Sequence, residues 1–232
     1  MVRTLRALVS SIGLASALVL TGMPTAHADD YAFLKAQDLQ QTVLRAQMPR
    51  ALGPWTQYFY FTETGRNYTV PTMCWDRNGN VTLPKAKVVG AVGYQVSQST
   101  GGSVKIYQYA TAQAAQAALT AMQEARCSDS PRVPDEGGQL VQAESGSDFT
   151  DSSMRGYAAG VNYVDGGVQM FRDVRTTQRG LAIVQTEITR TFQGTPSVAQ
   201  GEQVANQLGS VNQSWHANVV RAYESFGQGR AS

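Results

Sequence analysis

VKIYQYATAQAAQAALTAMQEARC, Val104 to Cys127, contains the change of period from which the fold is read. In its first part Val104, Ile106 and Gln108 fall on one side of an extended chain, and Lys105, Tyr107 and Tyr109 on the other. Both sides are mixed, so β-branched and aromatic content carries the strand expectation over Ser103 to Ala110. At Thr111 the repeat lengthens. Ala115, Ala118, Leu119 and Met122 recur at helical spacing, Thr111 is a credible N-cap, and Arg126 suits the negative end of the helix. The small side chains of this stripe let a helix lie close against a sheet.

Upstream, Trp55 to Thr62 (WTQYFYFT) and Lys87 to Gln98 (KVVGAVGYQVSQ) read as further strands, the second joined to Ser103 by a Ser99-Thr100-Gly101-Gly102 connection. TVPTMCWD and NVTLP flank Arg77-Asn78-Gly79, a hairpin signal because Asn and Gly tolerate positive φ. Asp30 to Met48 suits an amphipathic helix stopped by Pro49 and Gly53-Pro54.

Downstream, Gln139 to Ser145 and Met154 to Thr191 hold up to four strands, with compact turns at Asp165-Gly166-Gly167 and Gln178-Arg179-Gly180. Short turns between successive strands require antiparallel pairing. Thr195-Pro196 opens a last helix, Pro occupying its first position. Its apolar face is Val204, Leu208, Val211, Trp215, Val219, Ala222 and Phe226. A capping-box pattern at Ser210 and Gln213, just after Gly209, predicts a break or kink there. The fold class is α+β: a largely antiparallel sheet flanked by helices.

Residues 1–28 have the anatomy of a secretory signal peptide: Arg3 and Arg6, an apolar run from Ala7 to Leu20, and an Ala26-His27-Ala28 cleavage site. No cysteine near that site offers a thiol for a lipid anchor, and no segment reaches the apolar length of a membrane span. Residues 29–232 are read as one secreted, extracellular domain. The chain has 19 Lys and Arg against 17 Asp and Glu. Loss of Arg3 and Arg6 with the leader leaves no net charge and no basic cluster, which argues against nucleic acid as a partner.

Cys74 and Cys127 are an even pair in a chain that has left the reducing cytoplasm, so a disulfide between them is expected. It would close a loop of about 54 residues, worth about 4 kcal/mol in the chain-entropy estimate. Two sulfurs without His or further Cys at ligand spacing do not make a zinc site. No metal or other cofactor is expected.

Signatures of known chemistry are few. His216, the single histidine of the mature chain, is a possible general base, but a lone helical His is more often a surface or boundary residue. Nucleophile-elbow, zinc-helix, phosphate-loop and dinucleotide patterns are absent. Asp76-Arg77-Asn78-Gly79-Asn80 has its glycine too early for a calcium loop and no closing Glu. Glu144, Asp173 and Glu187 are acids on expected strands, more readily explained by salt bridges with Arg172, Arg175 or Arg190 than by catalysis. Trp75, Tyr94, Tyr107, Tyr157 and Tyr163 are strand aromatics able to line a pocket, though most are expected in the core or on the sheet surface.

The opening run, with RGLAIVQTEITR and the helix containing VNQSWHANVV, resembles the extracellular sensor domain of PknH-type receptor kinases of actinobacteria, a domain also found in secreted proteins. The resemblance spans roughly Leu34 to Phe226 and implies an antiparallel sheet flanked by helices with a cleft for an extracellular ligand. The resulting expectation is a non-enzymatic, sensor-like binding module for a small molecule or cell-envelope component. Trp75, Tyr163 and Arg172 are its expected contacts: an apolar face, a phenol and a fixed positive charge. The alternatives are a secreted carboxylate hydrolase acting on cell-wall glycans, and a protein-interaction factor without a small ligand.

Overall fold

The computed structural model describes residues 37–40, 46, 50–65, 67–71, 80–124, 143–150, 155–165, 168–194 and 196–228. Of the expected first helix, residues 37–40 are helical and the remainder lies outside the described residues, as do Cys74, Trp75 and Cys127. The disulfide expectation therefore also lies outside them.

Among the described residues nine strands are present: β1 (Thr56–Thr64), β2 (Thr69–Pro71), β3 (Asn80–Thr82), β4 (Val88–Ser97), β5 (Thr100–Gln108), β6 (Ala143–Thr150), β7 (Arg155–Asp165), β8 (Val168–Arg179) and β9 (Ala182–Gln193). Two helices accompany them, α1 (Ala112–Glu124) and α2 (Val198–Gln228). Seven strands form one sheet in the order β1-β4-β5-β9-β8-β7-β6, while β2 and β3 pair separately. Every pairing between these strands is antiparallel. The expected fold class, an antiparallel sheet with helices, is the one observed. Among the described residues no helix is long and apolar enough to cross a membrane.

The mixed faces of β5 have a simple cause: helices pack on both sides of the sheet. Val104 and Ile106 join Val92, Val184, Ile188, Leu208, Trp215 and Val219 in the core beneath α2. Tyr107 and Tyr109 join Val89, Val174, Ile183, Ala115, Ala118, Leu119 and Met122 in the core beneath α1. A strand buried on both faces has no reason to alternate cleanly between apolar and polar. Thr111 caps α1 as expected, its Oγ1 accepting from the Ala114 amide at 3.1 Å.

Three local expectations are corrected. The Ser99 to Gly102 connection is shorter than expected, because Ser97 already pairs with Thr100 and leaves a turn of Gln98 and Ser99. Gly101 and Gly102 belong to β5. A Cβ on Gly102 would stand 2.9 Å from the Glu187 carbonyl oxygen and 3.2 Å from the Trp215 ring, so glycine admits the indole there. Between β8 and β9, Arg179 pairs with Ala182, so Gln178 and Arg179 are strand and the turn is Gly180-Leu181. Gly180 has φ of 55°, the left-handed value that suits hairpin turns.

The last helix begins later than Pro196 and does not break. Ser197 is its cap: the Gln200 amide donates to Ser197 Oγ at 3.3 Å, and the Ser197 amide donates back to Gln200 Oε1 at 2.9 Å. This reciprocal pair is a capping box. From Val198 to Gln228 the helix runs 31 residues, about 46 Å. It finds support along its length because β8 and β9 are 12 residues each, about 40 Å when extended. Gly209 does not interrupt it: its carbonyl accepts from Arg175 Nη2 at 3.1 Å.

Candidate functional site

Alternation along β8 sends two sets of polar side chains to opposite faces of the sheet. Asp173, Arg175, Thr177 and Arg179 turn toward α2, where each finds a partner. Arg175 Nε donates to Asp173 Oδ1 at 3.2 Å, and Asn212 Nδ2 donates to the same oxygen at 2.7 Å. Arg179 pairs with Glu224. His216 lies between two threonines, with Nε2 2.7 Å from Thr177 Oγ1 and Nδ1 3.0 Å from Thr186 Oγ1.

Burial shapes the titration of this layer. Burial, and secondarily the Arg175 charge, pushes the His216 imidazole down to about 3. The ring is therefore neutral at ordinary pH; one of its nitrogens donates to a threonine and the other accepts. For Asp173, burial raises the carboxyl and outweighs the opposing pull of Arg175 and Asn212. A base so far below neutrality, enclosed by a helix and two strands, is poorly placed to take a proton from a substrate.

On the face that carries α1, Arg172 meets Glu187. Arg172 Nη2 donates to Glu187 Oε2 at 2.9 Å, and Nε stands 2.9 Å from Oε1, so both carboxylate oxygens face the guanidinium. Burial raises the Glu187 carboxyl, but Arg172, Lys105 and a hydrogen bond from Thr189 outweigh it and hold the group below its ordinary value. The carboxylate is charged and preorganised, with both partners partly open to solvent.

These positions answer the expectations made from sequence. Asp173 and Glu187 do form ion pairs with Arg175 and Arg172. Tyr163 lies in β7 opposite Met170, and Arg172 lies opposite Val161, so the register brings the two expected contacts to adjacent strands, two positions apart. Trp75, the third, lies outside the described residues. Glu144 pairs with Val161 in the backbone ladder. Tyr94 and Tyr107 belong to the cores: Tyr94 is edge-on to Trp215 at 6.1 Å, and Tyr107 to Tyr68 at 5.8 Å. Among the described residues no three His, Cys, Asp or Glu side chains gather as metal ligands. Lys105, near enough to act on Glu187, was missed as a site residue because nothing local in the sequence says that β5 and β9 are neighbours.

Comparison with known proteins adds little to this geometry. No family model matches the chain, and no curated protein matches it. Among solved structures it is similar to the extracellular domain of PknH from Mycobacterium tuberculosis, at 8% identity and a TM-score of 0.38. That alignment covers 83% of this chain and 100% of the other. So distant a likeness supports no functional argument.

Proposed function

We propose that the chain is a secreted, non-enzymatic binding module that takes an extracellular or cell-envelope molecule against the face of the sheet bearing Arg172. The observation that carries this reading is the disposition of the acids. Asp173 is held by Arg175 and by Asn212 of α2, whereas Glu187 is held by Arg172 on the opposite face. Carboxylates with a sheet between them do not flank one scissile bond, as a two-acid hydrolase requires. An ion pair that is preformed and partly open to solvent offers both donors and acceptors at little ordering cost, which suits recognition. Arg172 is the proposed central contact; Tyr163 on the neighbouring strand and Trp75 complete the set.

Native mass spectrometry of the secreted protein after exposure to envelope extract tests the reading. A retained small molecule that is lost on Arg172→Ala is the expected result. Repeated failure to retain any molecule, with the fold intact by circular dichroism, would overturn it.

A further inference from the structure

Of the three arginines that could match the acids of the sheet, one is left over. Arg172 holds Glu187 and Arg175 holds Asp173. Arg190 of β9 stands between Ile188 and Phe192, which both pack in the core beneath α2, so it shares their side of the sheet. There it meets no carboxylate among the described residues. The charges acting on Asp173 and Glu187 are those of Arg175 and of Arg172 with Lys105; Arg190 is not one of them. Glu224 is taken by Arg179, and Glu202 precedes Gln207 by five residues, about 140° away around α2. Glu144, Asp148 and Asp165 fall in register with Arg172, Thr176 and Val168, which are positions of the α1 face.

What holds Arg190 is a ring and one distant amide. Its Cζ lies 4.9 Å from the centroid of Phe192, a cation–π contact, and Phe192 is itself fixed edge-on by Phe171 at 5.7 Å. Nη1 stands 3.4 Å from Gln207 Oε1 of α2, long for a hydrogen bond. Nε and Nη2 have no acceptor among the described residues. Around the guanidinium the chain is apolar: Val204 and Val211, a turn to either side of Gln207, belong to the same core as Phe171, and Phe192 packs against it. The half-buried charge is thus oriented by the fold but not neutralised by it.

Those features select a class of ligand. Nε and Nη2 form the edge of a guanidinium on which a carboxylate docks with both oxygens, and the stacking on Phe192 fixes the plane in which it must approach. A single unmatched positive charge suits a monoanion. The apolar margin suits a carboxylate carried on an apolar body, because a hydrophilic one would gain nothing there. We propose that Arg190 anchors a binding site for a small apolar carboxylate, held by its two oxygens on Nε and Nη2 with its body against the margin around Phe192. This site lies on the opposite face of the sheet from Arg172 and goes beyond the binding reading given above.

NMR titration of the secreted protein with benzoate and with benzamide, its neutral counterpart of the same shape, tests the site. Benzoate should bind about tenfold more tightly, the equivalent of about 1.4 kcal/mol. Arg190→Gln should reduce benzoate to the level of benzamide. Gln207→Glu, at an exposed position of α2, sets a carboxylate of the chain's own within reach of the guanidinium; it should suppress benzoate binding equally, and it serves if the Arg190 variant does not fold. Arg221→Gln, the same loss of charge elsewhere on α2, should leave the preference for benzoate in place. Equal binding of the two probes, no binding of benzoate by the folded protein, or benzoate binding that survives Arg190→Gln or Gln207→Glu would overturn the proposal. So would a preference lost in Arg221→Gln, since the attraction would then belong to overall charge and not to Arg190.

Discussion

Protonating His216 inside the fold would put a positive charge beside Arg175 beneath a helix. The charged and titratable groups facing it are Asp173, itself matched to Arg175, and, further along, the Arg179–Glu224 pair. The folded imidazole titrates at about 3, and an unfolded one at about 6.5. Between those values the unfolded chain binds a proton that the folded chain refuses. Stability is thus fully present above about pH 6.5 and falls as the pH drops toward 3, by about 5 kcal/mol at full extent. The raised carboxyl of Asp173 acts in the opposite direction, since it keeps its proton more readily when folded, and offsets part of the loss. Urea unfolding across this range should show the decline, and His216→Gln should flatten it while costing about 1–3 kcal/mol at neutral pH through a threonine left unmatched. An unchanged slope in the variant would assign the acid sensitivity elsewhere. The expectation of a surface or boundary place for His216 is corrected, since the ring is buried; the two threonines that hold it come from β8 and β9 and are invisible to any local pattern.

The long helix makes the same point about elements. Its apolar repeat follows from residue spacing, but its unbroken length does not, because Ser210 and Gln213 after Gly209 mimic a second start. The mimicry fails because a cap forms only where the preceding chain leaves helical geometry. Here 12-residue strands support the helix past that point, and the Ser210 carbonyl accepts from Ser214 Oγ within the helix. A Cβ on Gly209 would lie 3.4 Å from Asp173 Oδ2 and 3.8 Å from Arg175 Nη2, ordinary contact distances. Gly209→Ala is therefore expected to stabilise the protein by about 0.5–1 kcal/mol, the helix-propensity difference, with an upward shift in the urea midpoint at unchanged slope. Destabilisation by a similar amount would mean that the helix needs the freedom of glycine at this point.

Across the whole molecule, the sheet consists of two antiparallel units joined along one seam. β1, β4 and β5 form the first, β6 to β9 the second, and the β5–β9 ladder from Thr100–Arg190 to Gln108–Ala182 joins them. The hairpins were legible because turn-forming Gly and Ser lie in or beside their turns, Gly180 between β8 and β9 and Ser99 between β4 and β5. The seam was not, because its partners are far apart in sequence and pair for the sake of shared cores. Both cores cross the seam: Val104 and Ile106 pack with Val184 and Ile188 under α2, and Tyr107 with Ile183 under α1. Neither unit can bury its own apolar face without the other, so the two should unfold together. Ile106→Ala, which opens a cavity at a fully buried position of the seam, is expected to cost about 2–5 kcal/mol. Because the seam is shared, hydrogen-exchange protection in β4 and in β8 should fall by the same factor, and denaturation should remain one transition by fluorescence and by circular dichroism. Loss of protection confined to β4 and β5, with β8 unchanged, would show that the second unit stands alone.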